Sequence, residues 1–144
     1  MSSDEASELE GASAPWAPKG ALGVHHLAIC VRDLARAESF YVDVLGLELL
    51  RRWEDAEGEP RSIWLALGGG AFLAVERVEG AGARRDDRPG HHCLALRIER
   101  SAREAWSSRL ALAGHPVERE SECTLYLRDP EGALLALSHH PERA

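Results

Sequence analysis

The sequence has few cysteines, no long hydrophobic run and fewer basic than acidic residues, and each of these absences excludes a class of protein. Its three cysteines, Cys30, Cys93 and Cys123, lie far apart and form no CxxC pair, which fits the reducing cytoplasm better than a disulfide framework. No apolar run approaches the roughly 18 residues that a membrane span needs. Lys and Arg number 17 against 24 Asp and Glu, a net charge of −7, so the electrostatic signature of nucleic-acid binding is missing.

The first 20 residues differ in composition from the rest of the chain. They are rich in Ser, Ala, Pro and acidic side chains, show no periodicity and lack the basic-then-apolar pattern of a secretory signal. We therefore predict a disordered tail over residues 1–20. A length of 144 residues corresponds to one domain, which we expect over residues 21–144. We expect the protein to be cytoplasmic.

Residues 23–79 are predicted to form a strand, a helix and three further strands. The β-branched and apolar run Val24–Val31 predicts the first strand. Asp33 can cap a helix over Leu34–Leu45, and Gly46 suits the left-handed position after it. The three further strands are predicted at Glu48–Trp53, Ser62–Leu67 and Ala71–Val78.

The same order returns over residues 91–140, after a polar linker at 80–90. Leu94–Ile98 predicts a strand, and Ser101 with Glu104 forms a capping box that opens a helix to about Ala113. Three strands then follow at Val117–Glu120, Thr124–Arg128 and Ala133–His139.

The two segments align residue by residue, which indicates a duplicated unit. The aligned pairs, found by adding 67, 68 or 62 to the first number, are His26 with Cys93, Gly46 with Gly114, Trp64 with Tyr126, and Ala74 with Ala136. A unit of roughly 50–60 residues buries too little surface to be stable alone. The sequence therefore predicts an α+β fold in which two tandem βαβββ units form one domain.

The first unit contains the segment VRDLARAESFYVDVLGLEL, and the second contains RDPEGALLAL. With these segments the chain resembles, over residues 23–140, the vicinal oxygen chelate superfamily, which includes glyoxalase I, extradiol dioxygenases, fosfomycin-resistance enzymes and bleomycin-binding proteins. The resemblance implies a cupped, incomplete mixed β-barrel with helices outside, a small organic ligand in the cup and a homodimer. It does not specify the activity, because this fold hosts several unrelated chemistries.

Metal-dependent members of this superfamily place a His on the first strand and a Glu on the last strand of each unit. By this resemblance the four positions here hold His26, Ala74, Cys93 and Ala136, so both expected carboxylates are methyl groups. A shifted set of His26, Glu76 and His91 or Cys93 requires moves of two residues along a strand, about 6.6 Å, against a metal–ligand bond of about 2.1 Å. We therefore expect no cofactor, with a divalent metal at the shifted set as the alternative.

Strand alternation predicts which side chains line the cup if His26 faces inward. The predicted ligand-binding residues are Trp64, Phe72, His91, Tyr126, Arg128 and Ser138. The catalytic candidates are His26, Cys93 and Glu76, because an imidazole–thiolate pair supports nucleophilic chemistry and a carboxylate supports acid–base chemistry. An aromatic and apolar lining with a few polar groups suits a flat organic molecule held by stacking and hydrogen bonds.

Three functions stay open from the sequence alone. The two alanines at carboxylate positions favour a metal-free protein that binds or sequesters a small aromatic or apolar compound without turnover. The alternative is a glyoxalase- or dioxygenase-like enzyme (a lyase, isomerase or dioxygenase) that uses the shifted metal site or metal-free catalysis by His26 or Glu76. The third is a scaffold whose cup is packed shut, with His26 as a core histidine and no cavity of about 300 Å³.

Overall fold

The computed structural model describes residues 19–80, 87 and 89–144. The first unit contains β1 (His26–Val31), α1 (Leu34–Glu38), β2 (Leu49–Glu54), β3 (Pro60–Gly68) and β4 (Ala71–Arg77). The second contains β5 (Leu94–Arg97), α2 (Arg103–Leu112), β6 (Arg119–Glu120), β7 (Thr124–Arg128) and β8 (Leu134–Ser138). Most of the predicted tail and most of the predicted linker lie outside the described residues, and the domain boundaries stay predictions.

Each unit forms its own four-stranded mixed sheet. The strand orders are β1-β4-β3-β2 and β5-β8-β7-β6. In each sheet the first and last strands of the unit pair in parallel, and the other pairs are antiparallel. Over the described ranges the sheets do not close into a barrel. The predicted α+β fold of two βαβββ units is therefore confirmed.

The strand registers follow the internal repeat. The strand neighbours of Ala74 are Ala28 and Trp64, and those of Ala136 are Ala95 and Tyr126. The sequence alignment of the two units matches Ala28 with Ala95, Trp64 with Tyr126, and Ala74 with Ala136. The aligned positions therefore have the same place in both sheets.

The first helix begins as predicted but does not continue as an α-helix to Leu45. Asp33 caps it by accepting a hydrogen bond of 3.0 Å from the backbone nitrogen of Arg36. Over Ser39–Val44 the chain forms π-helical turns, in which the nitrogen of Leu45 donates to the carbonyl of Phe40. Successive side chains are rotated by a smaller angle in a π-helix, and the adjacent rings of Phe40 and Tyr41 both enter the core.

The predicted capping box at Ser101 and Glu104 is wrong. The chain already turns at Glu99, whose carbonyl accepts from the nitrogen of Ala102 at 3.0 Å. Ser101 consequently lies inside a 3₁₀ turn, and α2 begins at Arg103 without a side-chain cap. The strand predicted at Val117–Glu120 is also shorter, because only its last two residues, Arg119 and Glu120, pair with β7.

The helices and one side of each sheet share a single hydrophobic core. Its buried strand residues are Val31, Ile63, Leu65, Leu73 and Val75 from unit one, and Leu125, Leu127, Leu135 and Leu137 from unit two. Alternation places the remaining strand side chains on the opposite side, which we call the cup face. The unit-one cup face carries His26, Ala28, Cys30, Arg51, Trp53, Ser62, Trp64, Phe72, Ala74 and Glu76. The unit-two cup face carries Ala95, Arg97, Arg119, Thr124, Tyr126, Arg128, Leu134, Ala136 and Ser138.

No helix among the described residues is both long enough and apolar enough to cross a membrane.

Candidate ligand-binding site

A row of aromatic rings crosses the unit-one cup face from β1 to β2. His26 stacks on Phe72 with ring centres 4.9 Å apart and planes 9° apart, and Phe72 stacks on Trp64 at 4.4 Å and 27°. Trp64 in turn contacts Trp53 at 5.1 Å. These distances are close to the strand spacing of about 4.8 Å, since each ring comes from a neighbouring strand. We call these four residues the aromatic row.

The rings of His26, Phe72 and Trp64 overlap face to face, whereas the Trp53 ring is tilted by 58° against Trp64. Two rings that lie side by side in one plane cannot bring their centres this close. Phe72 is flanked by His26 from β1 and by Trp64 from β3, so both of its faces are covered. The edge of an aromatic ring carries partial positive charge and its face carries partial negative charge. The middle of the row therefore presents ring edges to a molecule above it.

Each unit also places an arginine over an aromatic ring of its cup face. The guanidinium carbon of Arg51 lies 3.7 Å from the centre of a Trp53 ring, and that of Arg119 lies 4.1 Å from the centre of the Tyr126 ring. The two arginines are equivalent in register, because they pair with Trp64 and Tyr126 respectively. Within the described part of the chain, neither arginine forms an ion pair.

Two buried polar atoms of the unit-one cup face have no hydrogen-bond partner among the described residues. They are the indole nitrogen of Trp53 and the hydroxyl of Ser62, on residues that lie opposite each other on β2 and β3. Ser62 is only 1% exposed, and an unpaired buried polar group costs about 1–3 kcal/mol.

The catalytic candidates are spread over the fold. His26 is exposed, and its Nδ1 lies 2.9 Å from Nδ1 of His25. Glu76 is half-buried and lies opposite Cys30 on β1. Because His26 and Cys30 are four residues apart on one strand, His26 and Glu76 are separated by roughly 13 Å. No hydrogen bond connects His26 and Cys93 in the described structure.

A cavity of about 350 Å³ lies between the units beside β1. Ala28 and Cys30 line it from unit one, and His91, His92 and Cys93 line it from the segment before β5. Among the predicted site residues, His91 and Cys93 reach this cavity, whereas the aromatic row does not line it. A cavity of this size does not fit a scaffold that is packed shut.

The predicted ligand-binding residues of unit two make contacts within that unit. Arg128 donates to Oε1 of Glu118 at 3.0 Å and to the carbonyl of Gly132 at 3.2 Å. The hydroxyl of Ser138 lies 2.9 Å from that of Thr124. The structure therefore does not bring these side chains to the aromatic row.

The residues at the four superfamily metal positions do not fit a divalent metal. Ala74 and Ala136 are 3% and 1% exposed and offer only methyl groups. The shifted set is not assembled either, because no three His, Cys, Asp or Glu side chains approach closely enough to hold an ion anywhere in the described ranges.

The DPEG turn of unit two holds the start of the first helix of unit one. The Glu131 carboxylate accepts hydrogen bonds from the backbone nitrogens of Arg32 and Asp33, at 2.7 and 2.9 Å. Asp129 is buried and accepts from the Tyr41 hydroxyl at 2.8 Å. Burial by itself raises the pKa of Glu131, but the hydrogen bonds from Asp33 and Arg32 outweigh it and leave this pKa below its ordinary value of 4.5.

Sequence reasoning missed Arg51 and Trp53 at the end of the aromatic row. Both belong to the predicted strand Glu48–Trp53, and residues two apart on a strand share a face. Strand alternation therefore predicts that Arg51 and Trp53 share a face, but it does not predict which β3 residues lie beside them. The register of β2 against β3 shifts twice, between Leu49 and Arg51 and between Trp53 and Glu54, and no sequence pattern marks these shifts.

Comparison with known proteins identifies the family. The family model described as the glyoxalase/bleomycin resistance protein/dioxygenase superfamily matches residues 23–137. A glyoxalase family protein from Enterococcus faecalis is similar in structure, with a TM-score of 0.67, 26% identity, and coverage of 82% of this chain and 98% of that one. A glyoxalase/dioxygenase from Nostoc punctiforme has a TM-score of 0.72, 17% identity, and coverage of 91% and 99%.

The fosfomycin resistance protein FosX from Listeria monocytogenes is also similar, with a TM-score of 0.64, 18% identity, and coverage of 82% of this chain and 91% of that one. No functionally curated protein matches the chain. The family model covers well over half of the residues. The chain therefore belongs to the glyoxalase/bleomycin resistance protein/dioxygenase superfamily.

Proposed function

We propose that this protein binds a flat aromatic or apolar small molecule on the unit-one cup face, without a metal. The observation that supports the proposal is the aromatic row, which spans all four strands of the sheet. Rings that only fill an interior are expected to be buried. Here Phe72, Trp64 and Trp53 are half-buried and His26 is exposed, so part of each ring is available to a ligand.

The degenerate metal positions support binding rather than metal-dependent turnover. Two of the four positions hold alanine, which supplies no lone pair to an ion. A metal-free reaction that combined His26 and Glu76 would need both groups at the same substrate atoms, which their separation of roughly 13 Å disfavours.

We further propose that the protein acts as a cytoplasmic homodimer. β1 and β5 are edge strands, and their cup-face residues Ala28, Cys30 and Ala95 are exposed. A second copy of the chain would cover these small side chains. Light scattering should give twice the chain mass of 15.8 kDa, and a monomer mass at all concentrations would contradict the dimer.

Binding is best tested by an NMR titration with 2-naphthylmethanol, a flat and uncharged probe. At about 0.3 kcal/mol per non-hydrogen atom, a probe of this size binds with a Kd on the order of 1 mM. The indole N–H signals of Trp53 and Trp64 should shift together and saturate. The signal of Trp106, on α2, provides an internal control and should not move.

Two variants make this titration specific. Phe72→Ala removes the middle of the aromatic row and should weaken binding about fivefold, since one aromatic contact contributes about 0.5–1.5 kcal/mol. Leu112→Ala truncates an exposed side chain of α2 and should leave the Kd unchanged. Absence of saturable shifts, or equal affinity of the Phe72→Ala variant, would overturn the proposal.

A further inference from the structure

Arg51 is held by an aromatic ring rather than by an acid. Its neighbour Arg52, on the other side of β2, forms an ion pair with Glu38, whereas Arg51 forms none within the described residues. The Arg51 guanidinium lies over a Trp53 ring, with its central carbon 3.7 Å from the ring centre. Its N–H donors form a planar fork that matches the two oxygens of a carboxylate or a similar anion.

The aromatic row beside Arg51 also presents positive charge to a ligand, although only partial charge. Its middle rings present their edges, which carry partial positive charge. A ligand lying over these edges is therefore favoured when its π face is rich in electrons. Arg51 pairs with Trp64 in register, so the guanidinium and the ring edges act on neighbouring parts of one bound molecule.

Acids border this face on both sides of Arg51. Glu76 pairs with Ser62, at the level of Trp53, and Glu54 follows Trp53 on β2. Glu48 lies in the other direction, where its carbonyl accepts from the nitrogen of Ala66 at 2.9 Å. Their negative charge disfavours an anionic group at either end of the face. The favourable place for such a group is consequently at Arg51, which forms no ion pair within the described residues.

We infer that the ligand class of this site is a flat, conjugated organic anion whose carboxylate or equivalent acidic group binds Arg51 while its ring system lies over Trp64 and Phe72. This inference rests on the proposed function and adds the charge of the ligand to it. It also gives the orientation, with the anionic group at β2 and the ring body extending toward β1.

Three probes with one ring system and different charge test the inference: 2-naphthoate, 2-naphthylmethanol and 2-naphthylmethylammonium. In NMR titrations at pH 7 and low salt, 2-naphthoate should bind about fivefold more tightly than the alcohol, and the ammonium compound should bind most weakly. The advantage of 2-naphthoate should shrink in 0.5 M salt, because Arg51 is exposed and exposed charges are screened.

Variants of Arg51 separate a specific contact from a general effect of net charge. Arg51→Gln should reduce the affinity for 2-naphthoate to that for the alcohol. Arg51→Lys keeps the charge without the planar fork and should retain part of the preference. Arg61→Gln makes the same charge change on the opposite face of β3, at an exposed arginine without an ion pair among the described residues, and should retain all of it.

The outcomes distinguish this inference from the proposed function. If the alcohol binds and 2-naphthoate has no advantage, or if the advantage survives in Arg51→Gln, the inference is overturned and the proposed function stands. If none of the three probes binds, the proposed function itself fails, and the inference fails with it.

Discussion

Removal of the Glu131 carboxylate should loosen the contact between the two units. This group accepts two backbone hydrogen bonds, at 2.7 and 2.9 Å, from the chain that enters α1. Hydrogen bonds to charged groups contribute about 1.5–3 kcal/mol each, but Arg32 and Asp33 are exposed, so water replaces much of the loss. We therefore expect Glu131→Ala to cost about 2 kcal/mol of unfolding free energy, and Glu131→Gln about 1 kcal/mol because one acceptor oxygen remains.

The effect of Glu131 should also depend on pH. The pKa of this carboxyl is lower in the folded protein than its ordinary value of 4.5, so its contribution is fully present above pH 4.5. The contribution is lost as the pH falls through the folded-state pKa. The difference in stability between the natural protein and Glu131→Gln should consequently be largest at neutral pH and shrink in acid.

Urea unfolding followed by circular dichroism, at pH 7 and at pH 3.5, measures both effects. At pH 7, Glu131→Ala should also lower the Tm by about 6–10 °C for a domain of this size. Glu122→Gln is the matched control, because Glu122 pairs with Arg143 at the surface and such pairs contribute less than about 1 kcal/mol. If Glu131→Gln and Glu122→Gln unfold at the same urea concentration, or if the Glu131 effect does not vary with pH, the reasoning is refuted.

Three other substitutions test the backbone, the core and the lost metal positions, with urea unfolding as the measurement. Gly46→Ala should cost about 1 kcal/mol from backbone strain alone, because Gly46 has a φ of +76° and a Cβ there meets nothing within 4 Å; an unchanged midpoint would contradict this. Tyr41→Phe should cost about 1–3 kcal/mol, since it removes the hydroxyl that donates to the buried Asp129, and stability equal to that of the natural protein would exclude this contact. Ala136→Glu should cost 3 kcal/mol or more by burying a carboxylate without a partner, and metal analysis by mass spectrometry should find no stoichiometric ion either in this variant or in the natural protein.

The alignment of the two units was predictable because a duplicated sheet preserves small and apolar residues at matching strand positions. The match of Ala74 with Ala136, and of Trp64 with Tyr126, was accessible from sequence spacing alone. The α+β class followed from the same repeat. Strand alternation also separates the buried side of β3 and β4, with Ile63 and Leu73, from the side that carries Trp64 and Phe72.

Other features depend on contacts between distant segments, which one sequence does not specify. The π-helical turns follow from packing both Phe40 and Tyr41 into the core, whereas the local pattern predicted a regular helix. The role of Glu131 depends on how the two units meet. The aromatic row could be predicted only as separate residues, because the shifted register of β2 determines that Arg51 and Trp53 extend it.

The central claim is that the unit-one cup face binds a flat organic molecule through its aromatic row. The most direct measurement is the NMR titration of 2-naphthylmethanol into the natural protein and into Phe72→Ala. The account predicts saturable shifts of the Trp53 and Trp64 indole signals, no shift for Trp106, and about fivefold weaker binding in the variant. Shifts of the Trp53, Trp64 and Trp106 indole signals in proportion to probe concentration without saturation, or one and the same Kd in both proteins, would contradict it.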